Sequence, residues 1–339
     1  MGELRVKLLV TREYEHLVVA IGTDPTGSPS VSFFPIPHPS GIAVHRSIVH
    51  IASTRNPNQL FDFGPVEGDA PALGGPFLVP LRSRVFPGRL YLHELSMIGD
   101  VLYGNAVGMN SVVSFTDRDY RLEWWPRCAE RRGKVDVAHN YIQLNSIAAG
   151  ASLKESYFSA STDRMSSRRP GHLNFPVDKR GVVFFGRTRE PVLRGLTRPH
   201  SARLHQRKLW VNNSGYGEVG FARDDRFESI ARLPGWTRGL SFKGRVAFVG
   251  LSRVIPRFRS YAPGVATRSS VCGISAVDTR TGRILGGMVW PRGNQIFAVE
   301  AVSDRTCAEF PFRVPAERNS DRRELFYSFH HRKEARKTR

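Results

Sequence analysis

Short apolar stretches alternate with polar turns along nearly the whole chain, and the longer spacing of apolar residues that marks a helix is almost absent. The stretches VVSF, GVVFFG and VAFVG are rich in β-branched and aromatic residues, which favour strands. Glycines and turns with Asn or Asp separate these stretches. This pattern predicts an all-β protein built from many short strands.

One strand–turn–strand unit recurs along the chain, and each copy starts about 40 to 60 residues after the previous one. Most copies continue into a third strand, as in SVVSFTD and EVGFARD. Several strands in a unit of this length are typical of a β-propeller blade. The six copies begin at Ser40, His93, Asn145, His200, Arg238 and Gln295.

The sixth copy has too few strands of its own to form a blade. Three N-terminal stretches, LRVKLLVT, HLVVAIGTD and SVSFFPI, can supply the missing strands. Pairing the first strands with the last closes the ring and leaves no exposed sheet edge. The sequence therefore predicts a six-bladed β-propeller closed by N-terminal strands that pair with the C-terminal blade.

The chain has 339 residues, of which 40% are hydrophobic, and this is enough for a sizeable core. We expect one propeller domain over residues 1–317 and a solvated basic tail over residues 318–339. The N-terminal run MGELRVKLLV carries charges, which does not fit a signal peptide, and no stretch is apolar over the about 20 residues that span a bilayer. No two of the three cysteines form a CxxC motif, and this favours free thiols in a reducing compartment. We therefore expect a cytoplasmic protein that does not act at a membrane.

The formal net charge of +20 bears on the expected partners, because a strongly positive protein attracts polyanions. The charge is spread along the chain, and arginine outnumbers lysine as it does in proteins from GC-rich genomes. Nucleic acid is therefore the weakest of the partner hypotheses. The basic segments 161–181 and 253–271 are predicted as long loops over one face. They either rim a channel mouth for an anionic ligand or are surface loops without a ligand.

In a propeller, the first residues of the innermost strands meet at one mouth of the central channel. Polar side chains there need a partner, which can be another side chain, water, a metal ion or a ligand. Arg238 is expected to anchor a carboxylate or phosphate, and His200 and Glu94 to act as acid and base. The predicted catalytic residues are His200 and Glu94, and the predicted ligand-binding residues are His93, Asn145, Asn213 and Arg238.

Three other interpretations of these residues stay open. Oxygen atoms from Glu94 and Asn145 could hold a hard cation such as Ca²⁺. His93 and His200 could hold a transition metal together with Glu94. The same side chains could also form a water-filled polar plug without function. One divalent cation in the channel is thus an open hypothesis, and the metal is unknown.

Two functions of different class follow. The first is binding of a small or peptidic anionic ligand in the channel, with metal-assisted or acid–base chemistry in a biosynthetic pathway. The alternative is a non-catalytic scaffold that binds an acidic peptide or protein through its basic loops. The motifs GxSxG, HExxH and Walker A are absent from the sequence, so no standard catalytic signature decides between them.

Three stretches carry a resemblance to a known family: PHSARLHQRKLWVNNSGYGEVG, LPGWTRGLSFKGRVAFVGLS and CGISAVDTRTGRI. They resemble the bacterial family called domain of unknown function 4915, and the similarity runs from about residue 30 to residue 303. The resemblance implies a propeller-like fold and a cytoplasmic bacterial protein, sometimes encoded near biosynthetic genes. It implies no activity. More remotely, the architecture is similar to six-bladed lactonases and strictosidine-synthase-like proteins, which is a likeness of fold alone.

This sequence departs from the family pattern at three positions. Gln143 stands where the family has histidine, Ala298 where it usually has aspartate, and Ala202 where it has proline. If the family uses that histidine and aspartate for a metal or for acid–base work, this member has lost the chemistry.

Overall fold

The computed structural model describes residues 1–24, 26–55, 57–66 and 76–313 of the chain. Its strands are antiparallel, and short 3₁₀ helices lie between some of them. The strands are β1 (Val6–Arg12), β2 (Leu17–Thr23), β3 (Pro29–Pro35), β4 (Pro39–His45), β5 (Ile48–Ser53), β6 (Asn58–Val66), β7 (Phe77–Phe86), β8 (Leu92–Ile98), β9 (Val101–Ala106), β10 (Ser111–Phe115), β11 (Tyr120–Trp124), β12 (Glu130–Arg131), β13 (Lys134–Val135), β14 (Leu144–Ala148), β15 (Tyr157–Ala160), β16 (Gly181–Phe185), β17 (Pro191–Leu196), β18 (Pro199–His205), β19 (Lys208–Asn213), β20 (Glu218–Arg223), β21 (Arg226–Arg232), β22 (Trp236–Lys243), β23 (Val246–Ser252), β24 (Gly273–Asp278), β25 (Ile284–Val289), β26 (Ala298–Ser303) and β27 (Phe312–Arg313). The 3₁₀ helices are Val107–Met109, Arg127–Ala129, Leu153–Glu155, Ser214–Tyr216, Pro256–Tyr261 and Thr267–Ser269.

Five blades are four-stranded sheets in which the strands follow one another in chain order. We call them blade I (β4–β7), blade II (β8–β11), blade III (β14–β17), blade IV (β18–β21) and blade V (β22–β25). The first strand of each is the innermost, and it lies beside the inner strands of the two neighbouring blades. The inner strands begin within three residues of the predicted repeat starts, so the repeat found in the sequence is the blade.

Blade VI closes the ring with strands from both ends of the described chain. Its order is β26, β1, β2, β3 and then β27 at the outer edge. Leu8 in β1 lies opposite Ala301 of β26 on one side and opposite Ile21 of β2 on the other. This confirms the predicted closure, and β1 and β26 each gain a hydrogen-bonding neighbour that an open sheet would lack.

In the described chain the hydrophobic core is divided into clusters, and six of these clusters each lie between two neighbouring blades. Leu9 and Val18 of blade VI, for example, pack with Ile42 and Phe63 of blade I, and all four are buried. Successive residues of a strand point to opposite faces of the sheet. Both faces of a blade carry apolar side chains, because one face packs against the preceding blade and the other against the following blade. The packing between blades, rather than one central core, therefore stabilises the ring.

Hydroxyl side chains of the inner strands also join one blade to the next. The Ser40 hydroxyl donates to the Leu92 carbonyl (2.7 Å) between blades I and II. The Ser201 hydroxyl accepts from the Gly239 amide (2.9 Å) between blades IV and V. Small buried hydroxyls satisfy the backbone where the inner strands lie too close for larger side chains.

The inner strands of blades I to V share a β-bulge near their first residues. At a bulge, one strand has an extra residue that is not paired with the neighbouring strand, and the side chains near it change direction. This irregularity allows polar side chains at the strand start to point toward the channel mouth. The shifts lie between Pro39 and Ile42, Leu92 and Leu95, Leu144 and Ser146, His200 and Arg203, and Thr237 and Leu240.

The two predicted long loops are present as connections without strands. Residues 161–180 link β15 to β16, and residues 253–272 link β23 to β24 and carry two of the 3₁₀ helices. The predicted basic tail, residues 318–339, lies outside the described residues. No helix in the described ranges has the length and apolar character needed to cross a bilayer. Cys128, Cys272 and Cys307 are free thiols.

Candidate functional site

A cavity of about 330 Å³ opens at the channel mouth where the inner strands begin. Side chains from all six blades or from the segments next to them line it. Its charged residues are Glu13, Arg55, Arg198 and Arg238. Its aromatic residues are Tyr14, Tyr91, Trp236, Phe258, Tyr261 and Phe297.

Arg238 enters the cavity from the bulge of β22. The next residue, Gly239, has φ +85°, and a Cβ atom there would lie 2.7 Å from the Val299 amide nitrogen, so only glycine fits. The Arg238 guanidinium lies over the Phe297 ring, 3.3 Å from its centroid. Burial lowers the pKa of Arg238 to about 10, and Glu13 opposes that shift. Arg238 therefore keeps its positive charge at neutral pH.

Gln295 connects Arg238 to Glu13. In the amide orientation that satisfies both neighbours, its oxygen accepts from Arg238 Nη1 (2.8 Å) and its nitrogen donates to Glu13 Oε2 (3.0 Å). The other oxygen of Glu13 accepts from Arg55 Nε (3.2 Å). Glu13 is thus the direct ion-pair partner of Arg55, whereas it reaches Arg238 only through an amide.

Arg198 lies immediately before β18, has φ +52°, and is 2% exposed. Its Nη1 donates to Gln143 Oε1, and its guanidinium lies 3.9 Å from the centroid of the Tyr261 ring. Its Nε and Nη2 atoms are buried without a hydrogen-bond partner. Burial lowers the pKa of Arg198 to about 10. Within the described part of the chain, no carboxylate forms an ion pair with Arg198 or with Arg238.

His93 also lines the cavity, as predicted from its place at the start of a blade. Its ring meets the edge of Phe297 at 5.3 Å between centroids, and its Nδ1 is buried without a partner. Burial, reinforced by the charge of Arg238, holds the pKa of His93 well below its usual range. The imidazole is therefore neutral at physiological pH and can accept a proton.

His200 lies behind the cavity wall rather than in it. Its ring packs edge-on against Trp236 at 5.5 Å, and its Nδ1 lies 3.0 Å from Ser214 Oγ. That hydroxyl donates to the Thr237 carbonyl (2.6 Å), so Nδ1–H of His200 is the donor to Ser214. Burial lowers the pKa of His200 well below its usual range. Trp236 thus separates His200 from anything bound in the cavity.

Glu94 points away from His93 and faces deeper into the channel, outside the cavity lining. Its Oε1 accepts from Arg203 Nη2 at 2.6 Å. Burial raises the pKa of Glu94, and Arg203 opposes the shift. Glu300 of β26 lies near the same arginine, and burial raises its pKa to about 7, with Glu94 adding to the shift. The structure therefore places Glu94 in a buried ionic cluster and not with His200 at the cavity.

The two predicted asparagines have different surroundings. Asn145 Nδ2 donates to the Pro199 carbonyl (2.9 Å), while its Oδ1 is buried without a partner and the side chain lies next to His93. Asn213 uses both ends of its amide: Oδ1 accepts from the Thr197 amide (2.7 Å) and Nδ2 donates to Glu218 (2.7 Å). The structure therefore brings His93, Asn145 and Arg238 together and leaves Asn213 in the support of blade IV.

Comparison with known protein families shows to which family the chain belongs. The pattern of the family described as domain of unknown function, DUF4915, matches residues 1–310. The chain belongs to the DUF4915 family. No match was found among curated proteins.

Solved structures resemble this DUF4915 chain in fold. One chain of the nidogen/laminin complex is 8% identical, with a TM-score of 0.57 over 87% of this chain and 98% of that one. The propeller domain of Cps50 (Swd1) from Myceliophteria thermophila is 9% identical, with a TM-score of 0.45 over 87% of this chain and 90% of that one. A protein assigned as a gluconolactonase is 14% identical, with a TM-score of 0.47 over 75% of this chain and 79% of that one. The likeness to the chain of the nidogen/laminin complex, with its TM-score of 0.57, concerns the fold alone, and at 8% identity it carries no activity to the DUF4915 chain.

The transition-metal hypothesis does not fit the geometry. Among residues 1–24, 26–55, 57–66 and 76–313, no three His, Cys, Asp or Glu side chains lie close enough together to hold a metal ion. His93 faces the cavity, His200 lies behind Trp236, and Glu94 is occupied by Arg203. The oxygen site proposed from Glu94 and Asn145 lacks its carboxylate for the same reason.

Sequence reasoning missed cavity residues that lie two positions before the predicted repeat starts. Tyr91, Gln143, Arg198 and Trp236 each occupy that position in their own blade, and all four line the cavity. Residues two apart in a strand point to the same face, but Tyr91, Gln143 and Arg198 lie just before their strands. These three have positive φ, at 49°, 49° and 52°, and this backbone turn was not visible in the sequence.

The family departures fall at two kinds of place. Gln143, where the resemblance implies a histidine, lines the cavity and accepts from Arg198. Ala298 packs in the apolar cluster between blades VI and I. Its side chain serves the packing between blades in this DUF4915 member.

Proposed function

We propose that this protein binds a small organic anion in the cavity at the channel mouth, with Arg198 and Arg238 as anchors for its acidic groups. One observation carries the proposal: two buried guanidinium groups face the same cavity, and no carboxylate of the described chain forms an ion pair with either. A bound carboxylate or phosphate would supply the missing partner through charge-assisted hydrogen bonds.

The energetic argument rests on the cost of burying a charge. An isolated ion that leaves water loses its hydration, and unless it is paired it destabilises the fold. Burial lowers the pKa of both arginines to about 10, which is the direction that this cost produces. A chain that maintains two such groups in one cavity is stabilised when an anion binds there.

The walls fit a ligand with an apolar or planar body. Trp236, Phe258 and Tyr261 form one aromatic side of the cavity, and Phe297 forms another. The volume lies near the lower end of the about 300–1,000 Å³ that small-molecule sites occupy. This supports a small molecule rather than a long peptide.

The alternative, a scaffold that binds an acidic partner through basic loops, receives less support. The segment 253–272 contributes Phe258 and Tyr261 to the cavity, so its role there is aromatic. Three basic residues line the cavity, Arg55, Arg198 and Arg238, and the last two are buried. Their enclosed position favours recognition of an acidic group that enters the cavity.

A second candidate function, acid–base chemistry on the bound anion, rests on His93. Its neutral ring lines the cavity beside Arg238, with Asn145 next to it, whereas neither His200 nor Glu94 lines the cavity. A base must lie within hydrogen-bond reach of the proton that it takes, so His93 is the candidate base of the three.

The test is ligand titration followed by ¹⁹F NMR, with 4-fluorobenzoate and 4-fluorophenyl phosphate as anions and 4-fluorobenzamide as the neutral control. We expect saturable binding of the anions only. Arg198→Gln and Arg238→Gln should each weaken it about tenfold or more, since a charge-assisted hydrogen bond contributes about 1.5–3 kcal/mol. The exposed Arg207→Gln is the matched control and should leave binding unchanged. Equal binding of the neutral compound, or anion binding that survives both cavity substitutions, would reject the proposal.

A further inference from the structure

We propose that the ligand carries two negative charges, as a dicarboxylate or a phosphate monoester does, and that Arg198 and Arg238 bind it together. This inference rests on the proposed function and specifies its ligand class. It comes from the balance of charges around the cavity.

The lining has three arginines and one carboxylate in the described chain. Arg55 and Glu13 form an ion pair at 3.2 Å and neutralise each other. His93 is held neutral by burial, so it contributes no charge that offsets the remaining arginines. Arg198 and Arg238 are left as two positive charges.

These two charges lie close enough to repel each other. Burial is the main cause that lowers the pKa of Arg238; Glu13 and Glu94 oppose that shift, and the charge of Arg198 adds to it. A monoanion would compensate one guanidinium and leave the other buried without an ion pair. A dianion compensates both, and this removes their repulsion as well as their separate burial costs.

The positions of the two guanidiniums favour a ligand that lies between them. Each is stacked on an aromatic ring at the cavity wall, Arg198 on Tyr261 and Arg238 on Phe297. The stacking fixes the planes of both groups, while Arg238 Nη1 donates to Gln295 (2.8 Å) and Tyr261 raises the pKa of Arg198 against the effect of burial. Two nitrogens of Arg198, Nε and Nη2, are buried without a hydrogen-bond partner. They form the side-on edge of the guanidinium that can bind both oxygens of one acidic group.

The experiment compares anions of the same shape and different charge. At pH 8, phenyl phosphate is a dianion because its second pKa is about 6, whereas phenyl sulfate is a monoanion. Phthalate and benzoate make the same comparison for carboxylates. Dissociation constants are measured by isothermal titration calorimetry for the native chain, Arg198→Gln and the exposed control Arg207→Gln at fixed ionic strength.

We expect at least one dianion to bind about tenfold or more tightly than its monoanionic partner. The pair that shows the preference tells whether the acid is a phosphate or a dicarboxylate. Arg198→Gln should weaken the dianion more than the monoanion and so reduce this ratio to near one, with residual binding of both through Arg238, and Arg207→Gln should retain the ratio. Equal affinity within both pairs, or a preference that survives Arg198→Gln, overturns this inference while anion binding itself stands. Absence of binding for all four anions rejects the proposed function instead.

Discussion

Arg203 of blade IV donates to Glu94 of blade II at 2.6 Å, and the bond passes over blade III, which lies between them. The Arg203 guanidinium also donates to the carbonyl of the preceding residue, Ala202 (2.9 Å). The third member of the cluster, Glu300, comes from blade VI. Alternate blades are thus joined at the channel axis, whereas the hydroxyl bridges join only adjacent ones.

We expect Arg203→Gln to destabilise the fold, because it leaves the Glu94 carboxylate buried without its cation. The side chain of Glu94 is 6% exposed and that of Arg203 is 19% exposed, so the loss should lie at the lower end of the range for buried pairs, about 3 kcal/mol. Urea unfolding measures it. The double variant Glu94→Gln/Arg203→Gln should recover part of the loss. Glu94→Gln should also bind anions as the native chain does, and loss of binding at unchanged stability would contradict the position of Glu94 outside the cavity.

Glu300 should make stability depend on pH. Burial raises its pKa from 4.5 to about 7, so the folded state holds the proton more tightly than the unfolded state does. Below pH 4.5 both states are protonated, and between about pH 4.5 and 7 the contribution of Glu300 falls as pH rises, by at most about 3 kcal/mol. Glu300→Gln imitates the protonated form. Its melting temperature should exceed that of the native chain at pH 8 and match it at pH 4.5, and an equal difference at both pH values would show that Glu300 does not titrate in this range.

Asp62 should give the pH dependence of stability the opposite sign. It accepts from Arg84 (3.1 Å) and lies 2.6 Å from His50 Nδ1. Burial alone would raise its pKa, but the bonds to these partners lower it to about 2 from 3.8. Its contribution is present above pH 3.8 and is lost as pH falls toward 2. Asp62→Asn should therefore cost about 2 kcal/mol at pH 7 in chemical unfolding.

The matched control for Asp62 is Asp117, which is 79% exposed and pairs with Arg82. Exposed ion pairs contribute little, so Asp117→Asn should change the unfolding free energy by less than about 1 kcal/mol. A loss as large as that of Asp62→Asn would mean that burial does not set the difference between the two carboxylates.

Gly239 should affect both stability and binding. Alanine at this φ of +85° is strained, and its Cβ would also lie 2.7 Å from the Val299 amide nitrogen. Gly244 has a φ of +57° with nothing near its Cβ position, so Gly244→Ala measures the backbone strain alone, about 1–2 kcal/mol. Gly239→Ala should cost more than this in thermal unfolding. It should also weaken anion binding because it displaces the neighbouring Arg238, whereas Gly244→Ala should bind normally.

The sequence predicted the propeller and its closure because both depend on local signals that repeat. Each blade has apolar alternation and turn residues of its own, so an error in one copy is corrected by the others. The three N-terminal strands were predicted because the sixth copy lacked partners. Their positions at β1, β2 and β3 confirm this reasoning.

The site was predicted less completely, because the direction in which each side chain points depends on contacts with residues that are distant in sequence. Arg238 and His93 were placed at the mouth by their strand position, and they line the cavity. Glu94 and His200 occupy similar positions, but Arg203 and Trp236 remove them from it. Arg198 was missed because its role depends on a positive φ before β18.

The pairing of β1 with β26 would also set the time at which a newly made chain can acquire the ligand that we propose. Glu13 and Tyr14 directly follow β1, and Gln295 and Phe297 directly precede β26, so one wall of the cavity is built from both ends of the described chain. While the chain is synthesised from its N-terminus, the first strands must wait for the last inner strand before this wall exists. Binding competence and ring closure therefore arrive in the same late step. A cell that contains the ligand favours the closed form of every newly made copy by mass action.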